Sequence, residues 1–96
     1  MRKIELGQLL MTRGVADLQE QEPFFGGFVT TSLMRYVRCD WGDLGKEDAA
    51  MNDSAIGPDE DRVFAAYEHP KHPDWKIWII TEADRSATTV LFPSEY

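Results

Sequence analysis

Three predicted β-strands lie in residues 63–92, whose sequence is VFAAYEHPKHPDWKIWIITEADRSATTVLF. These strands are Val63–Tyr67, Lys76–Thr81 and Ala87–Phe92. β-Branched and aromatic residues dominate the second and third of them. Glu82–Ser86 is a tight polar connection, whereas Glu68–Trp75 holds two prolines and predicts a looser loop. The pattern therefore indicates a three-stranded antiparallel meander.

The residues before the meander have the spacing of helices. Thr12 is a suitable N-cap for a short first helix, and Pro23 ends that helix. Phe24–Gly27 predicts a flexible corner whose two aromatic side chains need burial or a partner. A second helix is predicted over residues 28–38, because apolar residues recur there at every third or fourth position.

A third helix is predicted from Leu44 to Ile56, with Asp43 as its cap and Gly57-Pro58 as its end. Its apolar stripe consists of Leu44, Met51 and Ala55. Asp48 projects close to this stripe, and a carboxylate at a core edge needs a hydrogen bond or a cation to offset its desolvation.

These elements predict one α+β domain over residues 1–96, in which two or three helices cover one face of the C-terminal meander. Ile4 and Leu6 alternate with charged neighbours, so residues 3–6 are a candidate fourth strand at an edge of the sheet. A chain of this length holds one modest core, and no linker or internal repeat divides it.

Composition excludes several classes of protein. No stretch approaches the roughly 18 apolar residues of a membrane span, and the N-terminus is not a signal peptide, so we expect a cytosolic protein. The single cysteine, Cys39, allows no internal disulfide, and we expect it to be a structural thiol. A net charge of −7 argues against direct binding of nucleic acid.

The negative charge is concentrated in Asp40–Asp61, called the acidic segment below, which holds eight carboxylates and one base. Three of these carboxylates, Asp43, Glu47 and Asp48, suit the start of a helix. The remaining five have no capping role, so they form either a solvated face or a contact surface, and our functional hypothesis is that they contact a basic protein or a nucleoprotein complex. They are Asp40, Asp53, Asp59, Glu60 and Asp61.

A second polar group is predicted to have a structural role. Arg85 lies in the turn before the third strand, and a bidentate pair with Asp48 would satisfy both side chains. The predicted network consists of Asp43, Asp48, Asp84 and Arg85. The same residues Asp48, Asp84 and Arg85 leave open a small enzyme or ligand-binding domain. The chain contains no known catalytic motif, so we predict no catalytic residue, no cofactor and no enzymatic activity.

Two further features have alternative explanations. His69 and His72 could bind a metal with Asp74 or Glu68, but this spacing in a loop is nonspecific, and we predict no metal site. The aromatic residues Phe24-Phe25 and Trp75 leave open self-association, so the sequence does not define an oligomeric state.

Two stretches carry a family resemblance. They are Asp40-Trp41-Gly42-Asp43-Leu44 with Glu47, Asp48 and Asn52, and KIWIITEADRSATTVL from Lys76 to Leu91. They resemble short bacterial proteins termed plasmid-related, which are carried on plasmids, phages and integrative elements. The resemblance covers the last two thirds of the chain, and it implies no catalytic or ligand-binding residue.

If the resemblance holds, carriage on mobile elements implies a class of function. Small acidic proteins of phages and plasmids often inhibit host defence, as anti-CRISPR and anti-restriction proteins do, by occupying surfaces that would bind nucleic acid. We therefore expect a non-catalytic inhibitor of a basic, nucleic-acid-handling host protein, by analogy of size and charge.

Overall fold

The structure, a computed structural model, describes residues 4–56 and 61–96. The chain forms β1 (Gln8–Met11), α1 (Arg13–Gln21), α2 (Pro23–Val37), α3 (Lys46–Ala55), β2 (Val63–His69), β3 (His72–Thr81), β4 (Ala87–Leu91) and a 3-10 turn (Pro93–Glu95). The strands form one mixed sheet in the order β1-β4-β3-β2. The predicted α+β class and the antiparallel meander are confirmed.

The fourth strand lies at residues 8–11, so its prediction at residues 3–6 is wrong in position. β1 runs parallel to β4, with Gln8 opposite Ala87 and Met11 opposite Val90. Gly7 separates it from the preceding residues in a left-handed conformation, φ +62°, where a Cβ would lie 2.3 Å from the carbonyl oxygen of Arg85. Ile4 is buried in the core.

The predicted corner at Phe24–Gly27 is helical, because α2 begins at Pro23. Proline suits the first turn of a helix, since its fixed φ is helical and its missing N–H has no partner there. The same residue ends α1 as predicted, and Glu22 alone separates the two helices. Phe25 is fully buried, where it contacts Trp75 with ring centroids 5.5 Å apart.

The predicted loop Glu68–Trp75 is almost entirely strand, and its turn contains only Pro70 and Lys71. Pro73 fits in β3 because β4 pairs with β3 only from Trp78 onward, so this part of the strand has one free edge. The rings of His72 and Trp75 stack with centroids 4.0 Å apart, so the hairpin continues past its apolar residues to the turn.

α1 and α2 pack on one face of the sheet, where Tyr36, Tyr67, Ile77, Ile79 and Val90 are fully buried. The opposite face carries Phe64, Trp78 and Ile80, and the ring of Trp78 lies 5.1 Å from that of Phe64. α3 packs beside β2.

A chain of hydroxyl groups crosses the buried face. The Tyr36 hydroxyl lies 2.7 Å from Thr81 Oγ1, which lies 2.8 Å from Thr88 Oγ1, and Thr88 donates to the carbonyl of Leu6 at 2.7 Å. A carbonyl only accepts and each hydroxyl has one proton, so Thr81 donates to Thr88 and accepts from Tyr36. The single Tyr36 proton is shared between Thr81 and the carbonyl of Val63, which lies 3.3 Å from the hydroxyl. Burial raises the pKa of Tyr36 to about 12.

Candidate functional site

The acidic segment begins at the end of α2. Cys39 adopts φ +63°, and the amides of Cys39 and Asp40 donate to the carbonyls of Tyr36 and Arg35, which is a Schellman motif. This turn places Asp40 against Arg35, whose Nε and Nη2 donate to the two carboxylate oxygens at 2.8 and 3.1 Å. These hydrogen bonds hold the pKa of Asp40 below its usual range.

Asp43 does not cap α3, which begins three residues later at Lys46. Its amide instead donates to the carbonyl of Ala66 at 2.7 Å, and its carboxylate accepts the amide of Glu68 at 2.8 Å. Asp43 therefore satisfies two backbone groups at the outer edge of β2. Sequence reasoning missed this role because Asp43 and β2 are more than twenty residues apart.

Asn52 closes the same edge from α3. Its side-chain amide donates to the carbonyl of Phe64 at 2.5 Å and accepts the Phe64 amide at 3.2 Å, as a neighbouring strand would. Asn52 and Ala55 are the buried residues of this helix turn, whereas Met51, predicted to belong to the buried stripe, is 69% exposed. Asp43 and Asn52 of the acidic segment thus cover one edge of the sheet.

The other predicted contact residues differ in how the fold uses them. Asp53 is exposed, and its carboxylate accepts a hydrogen bond from the indole of the buried Trp41 at 3.2 Å. Asp61 accepts the amide of Arg62 at 2.7 Å. Asp59 and Glu60 lie outside the described residues. A partner-binding role for these five carboxylates stays a prediction.

The predicted contact of Asp48 with Arg85 does not form in the described part of the chain. Arg85 donates to the carbonyls of Ala55 at 2.8 Å and of Asp61 at 2.7 Å, and to two carbonyls of its own turn. Asp84 accepts the Ser86 amide at 2.9 Å, and hydrogen bonding by Ser86 lowers its pKa. Arg85 therefore joins α3 to the turn between β3 and β4 through backbone groups.

α3 exposes a surface that combines charge with an apolar side chain. Glu47 and Asp48 are exposed, and they precede Met51 by four and three residues, so the three side chains are neighbours on the helix surface. This set of residues is called the acidic helix face below. Met51 was missed as a surface residue because the spacing of apolar residues placed it in the core.

Two concave regions lie elsewhere. A groove of about 410 Å³ runs between α2 and the β2–β3 turn and is lined by Phe24, Phe28, Arg35 and His69 among others. A smaller site of about 270 Å³ lies on the opposite sheet face, between Arg62, Phe64, Trp78, Ile80 and Tyr96. Of the predicted self-association patch, Phe24 is exposed, whereas Phe25 is buried and Trp75 is half-buried.

The histidines pack as aromatic rings. His69 and His72 have ring centroids 4.9 Å apart, and Nδ1 of His69 accepts the amide of Lys71 at 3.0 Å. Within residues 4–56 and 61–96, no group of three or more His, Cys, Asp or Glu side chains is arranged to hold a metal. In the same residues, no helix is both long and apolar enough to cross a membrane.

Comparisons with known proteins return nothing for this chain. No protein-family model matches it, no curated protein matches it, and no solved structure matches its fold. The resemblance to plasmid-related proteins therefore stays a prediction.

Proposed function

We propose that this protein is a non-catalytic binding module of the cytosol whose acidic helix face docks on a Lys/Arg-rich surface of another protein. The observation that carries the proposal is the exposure of Glu47, Asp48 and Met51 side by side on α3. An apolar side chain such as Met51 supplies affinity when a partner desolvates it. Neighbouring charges such as Glu47 and Asp48 orient the partner and raise the association rate.

The charge balance supports a basic partner. The acidic segment accounts for the whole net charge of −7, and the rest of the chain is neutral. Exposed carboxylates on a helix present negative charge to surfaces that otherwise bind phosphate groups. The partner class that fits is a nucleic-acid-handling protein, and occupation of its basic surface would inhibit it by excluding nucleic acid, as in anti-CRISPR or anti-restriction activity.

The hydrogen bonds of the fold support this proposal, because they attach some residues of the segment and leave others exposed. Asp40 binds Arg35, Asp43 binds β2 and Asn52 binds Phe64, and these contacts position the segment. Glu47 and Asp48 lie on the outer side of the helix that these contacts hold in place, and their charge is available to a partner.

The test is affinity capture from host cells with purified wild-type protein and two charge-reversal variants. Glu47→Lys/Asp48→Lys alters the acidic helix face, and Glu20→Lys/Asp74→Lys makes the same change in net charge at exposed sites elsewhere. We expect the first variant to lose a basic partner that the second retains. With that partner purified, binding should weaken as salt rises, and double-stranded DNA should compete for it.

Two results would contradict the proposal. Equal loss of the partner in both variants would indicate a nonspecific charge effect, and affinity that does not change with ionic strength would exclude an electrostatic interface. Met51→Ala tests the apolar anchor separately, and it should weaken binding without changing the salt dependence.

A further inference from the structure

The two edges of the sheet differ in how they end. At the β2 edge, Asn52 and Asp43 satisfy the outward backbone groups of Phe64, Ala66 and Glu68. β1 forms the opposite edge, and within the described residues it pairs only with β4. One edge is therefore closed by these contacts, and the described residues leave the other open.

The hydrogen bonds of β1 identify which backbone groups are free. The amides of Gln8 and Thr12 donate to Ser86 and Val90 at 3.0 Å each. Successive residues of a strand point their N–H and C=O groups to opposite sides, so the groups of Leu9 and Met11 point away from the sheet. This alternation leaves two donors and two acceptors arranged to pair with an extended chain.

The side chains at this edge lack the usual protection against pairing. Leu9, Leu10 and Met11 are 45%, 40% and 36% exposed, and the strand contains no charge and no proline. Exposed edge strands normally carry lysine, proline or a bulge that prevents pairing with another strand. An open, uncharged and apolar edge is the surface expected of a strand-pairing site.

We propose that β1 pairs with β1 of a second copy of this chain, antiparallel about a two-fold axis at Leu10. In this register, Leu9 exchanges two backbone hydrogen bonds with the partner's Met11, and Met11 does the same with the partner's Leu9. The two Leu10 side chains meet at the non-hydrogen-bonded position, where opposite side chains lie closest. The two sheets then form one eight-stranded sheet.

A second copy meets no electrostatic repulsion at this edge, because β1 itself carries no charge. Asp43 and α3 lie against β2, so their carboxylates are on the other side of the sheet from β1. Each strand spacing is about 4.8 Å, so the α3 helices of two copies joined through β1 are separated by the width of both sheets. That separation exceeds the screening length of about 8 Å at physiological salt, so the two negative regions do not oppose pairing.

The test is the mass in solution, measured by size exclusion with light scattering up to millimolar concentration. We expect twice the 11.0 kDa of one chain at high concentration. Leu9→Pro removes an N–H that points away from the sheet, and Leu10→Lys places two cations at the two-fold axis, so both variants should be monomers. Met34→Lys, an equivalent change at an exposed site on α2, should remain a dimer.

The register has its own test. With Cys39 replaced by serine, Leu10→Cys should form an intermolecular disulfide on oxidation, because the two Cα atoms lie within the range of a disulfide. Leu9→Cys should not, because Leu9 faces the partner's Met11. A cross-link at Leu9→Cys with none at Leu10→Cys would overturn the register.

The proposal is wrong if the wild-type chain is a monomer at every concentration. In that case the β1 edge would be a site for a strand of another protein and not for a second copy. It is also wrong if Leu10→Lys, folded by circular dichroism, remains a dimer. Circular dichroism of Leu9→Pro distinguishes loss of pairing from loss of folding, and the Leu10→Lys result decides if that variant does not fold.

Discussion

At the residue scale, Asp40 accepts hydrogen bonds from Nε and Nη2 of Arg35 and from the amide of Gly42 at 3.1 Å. One carboxylate therefore stabilises the fold and also adds to the surface charge. The two side chains of the pair are 43% and 50% exposed, which limits what the pair contributes. Exposed pairs of this kind contribute at most about 1 kcal/mol. Composition cannot distinguish such a residue from a free carboxylate.

Asp40→Asn should lower the free energy of unfolding at neutral pH by about 0.5 to 1 kcal/mol. The folded-state pKa of Asp40 is lowered, so its contribution is complete above the unfolded value of about 3.9 and is lost as pH falls through the folded value. Urea unfolding of both proteins should therefore converge in acid. Asp48→Asn is the matched control, and a difference that persists in strong acid would contradict the assignment.

Thr81→Val should lower stability by about 1 to 3 kcal/mol, because it removes the middle hydroxyl of a buried chain. The Tyr36 hydroxyl would keep only its longer contact of 3.3 Å with the carbonyl of Val63. Thr89→Val, half-buried on the other face of the sheet, should change stability little in the same denaturant measurement. Equal stability of the two variants would mean that the hydroxyl chain contributes nothing.

At the scale of elements, α3 is held less by its apolar residues than by polar contacts in its C-terminal half. Its buried residues include Asn52 and Ala55, and its C-terminal carbonyl at Ala55 accepts Arg85. A helix with so little apolar burial depends on its neighbours, because short helices are marginal in isolation. The predicted apolar stripe was wrong at Met51 for the same reason.

Arg85→Ala should release α3 while leaving the sheet intact. Two interelement hydrogen bonds from a charged donor are lost, which should cost about 2 to 3 kcal/mol. Hydrogen exchange should accelerate at the α3 amides more than at those of β3. Arg13→Ala is the control, because that side chain is almost fully exposed. Unchanged exchange in α3 would contradict the role given to Arg85.

At the scale of the whole molecule, net negative charge opposes compactness, and the described ion pairs offset it weakly. All of them are at least 43% exposed on both sides. Repulsion within a chain of net charge −7 therefore outweighs their attraction. The acidic segment is stable in this position because backbone and side-chain hydrogen bonds attach it to β2.

Sodium chloride should raise the free energy of unfolding by a few tenths to about 1 kcal/mol, because it screens repulsion more than it weakens exposed pairs. Glu20→Lys/Asp74→Lys replaces two negative charges by two positive ones, so the net charge becomes −3 and the salt dependence should be smaller. Thermal unfolding at low and high salt measures both. A wild-type protein that salt destabilises would show that ion pairs dominate.

Prediction from sequence succeeds where an element depends on residues near in sequence and fails where it depends on distant ones. Lys76–Thr81 and Ala87–Leu91 were recognisable as strands because local propensity and short polar turns define them. Glu68–Trp75 was not, because its strands are ordered by contact of Trp75 with Phe25 on α2. The surface role of Met51 was missed because helical spacing does not identify which side faces the core.

The sequence by itself determined the α+β class, the antiparallel meander and the concentration of negative charge in Asp40–Asp61, because each depends on residues that are near in sequence. Only the tertiary structure decided that β1 pairs parallel to β4, and that Asp43 and Asn52 close one sheet edge while residues 4–56 and 61–96 leave the other open. The physical reason is that backbone hydrogen bonds between distant segments are specified by packing, and neither periodicity nor composition records them.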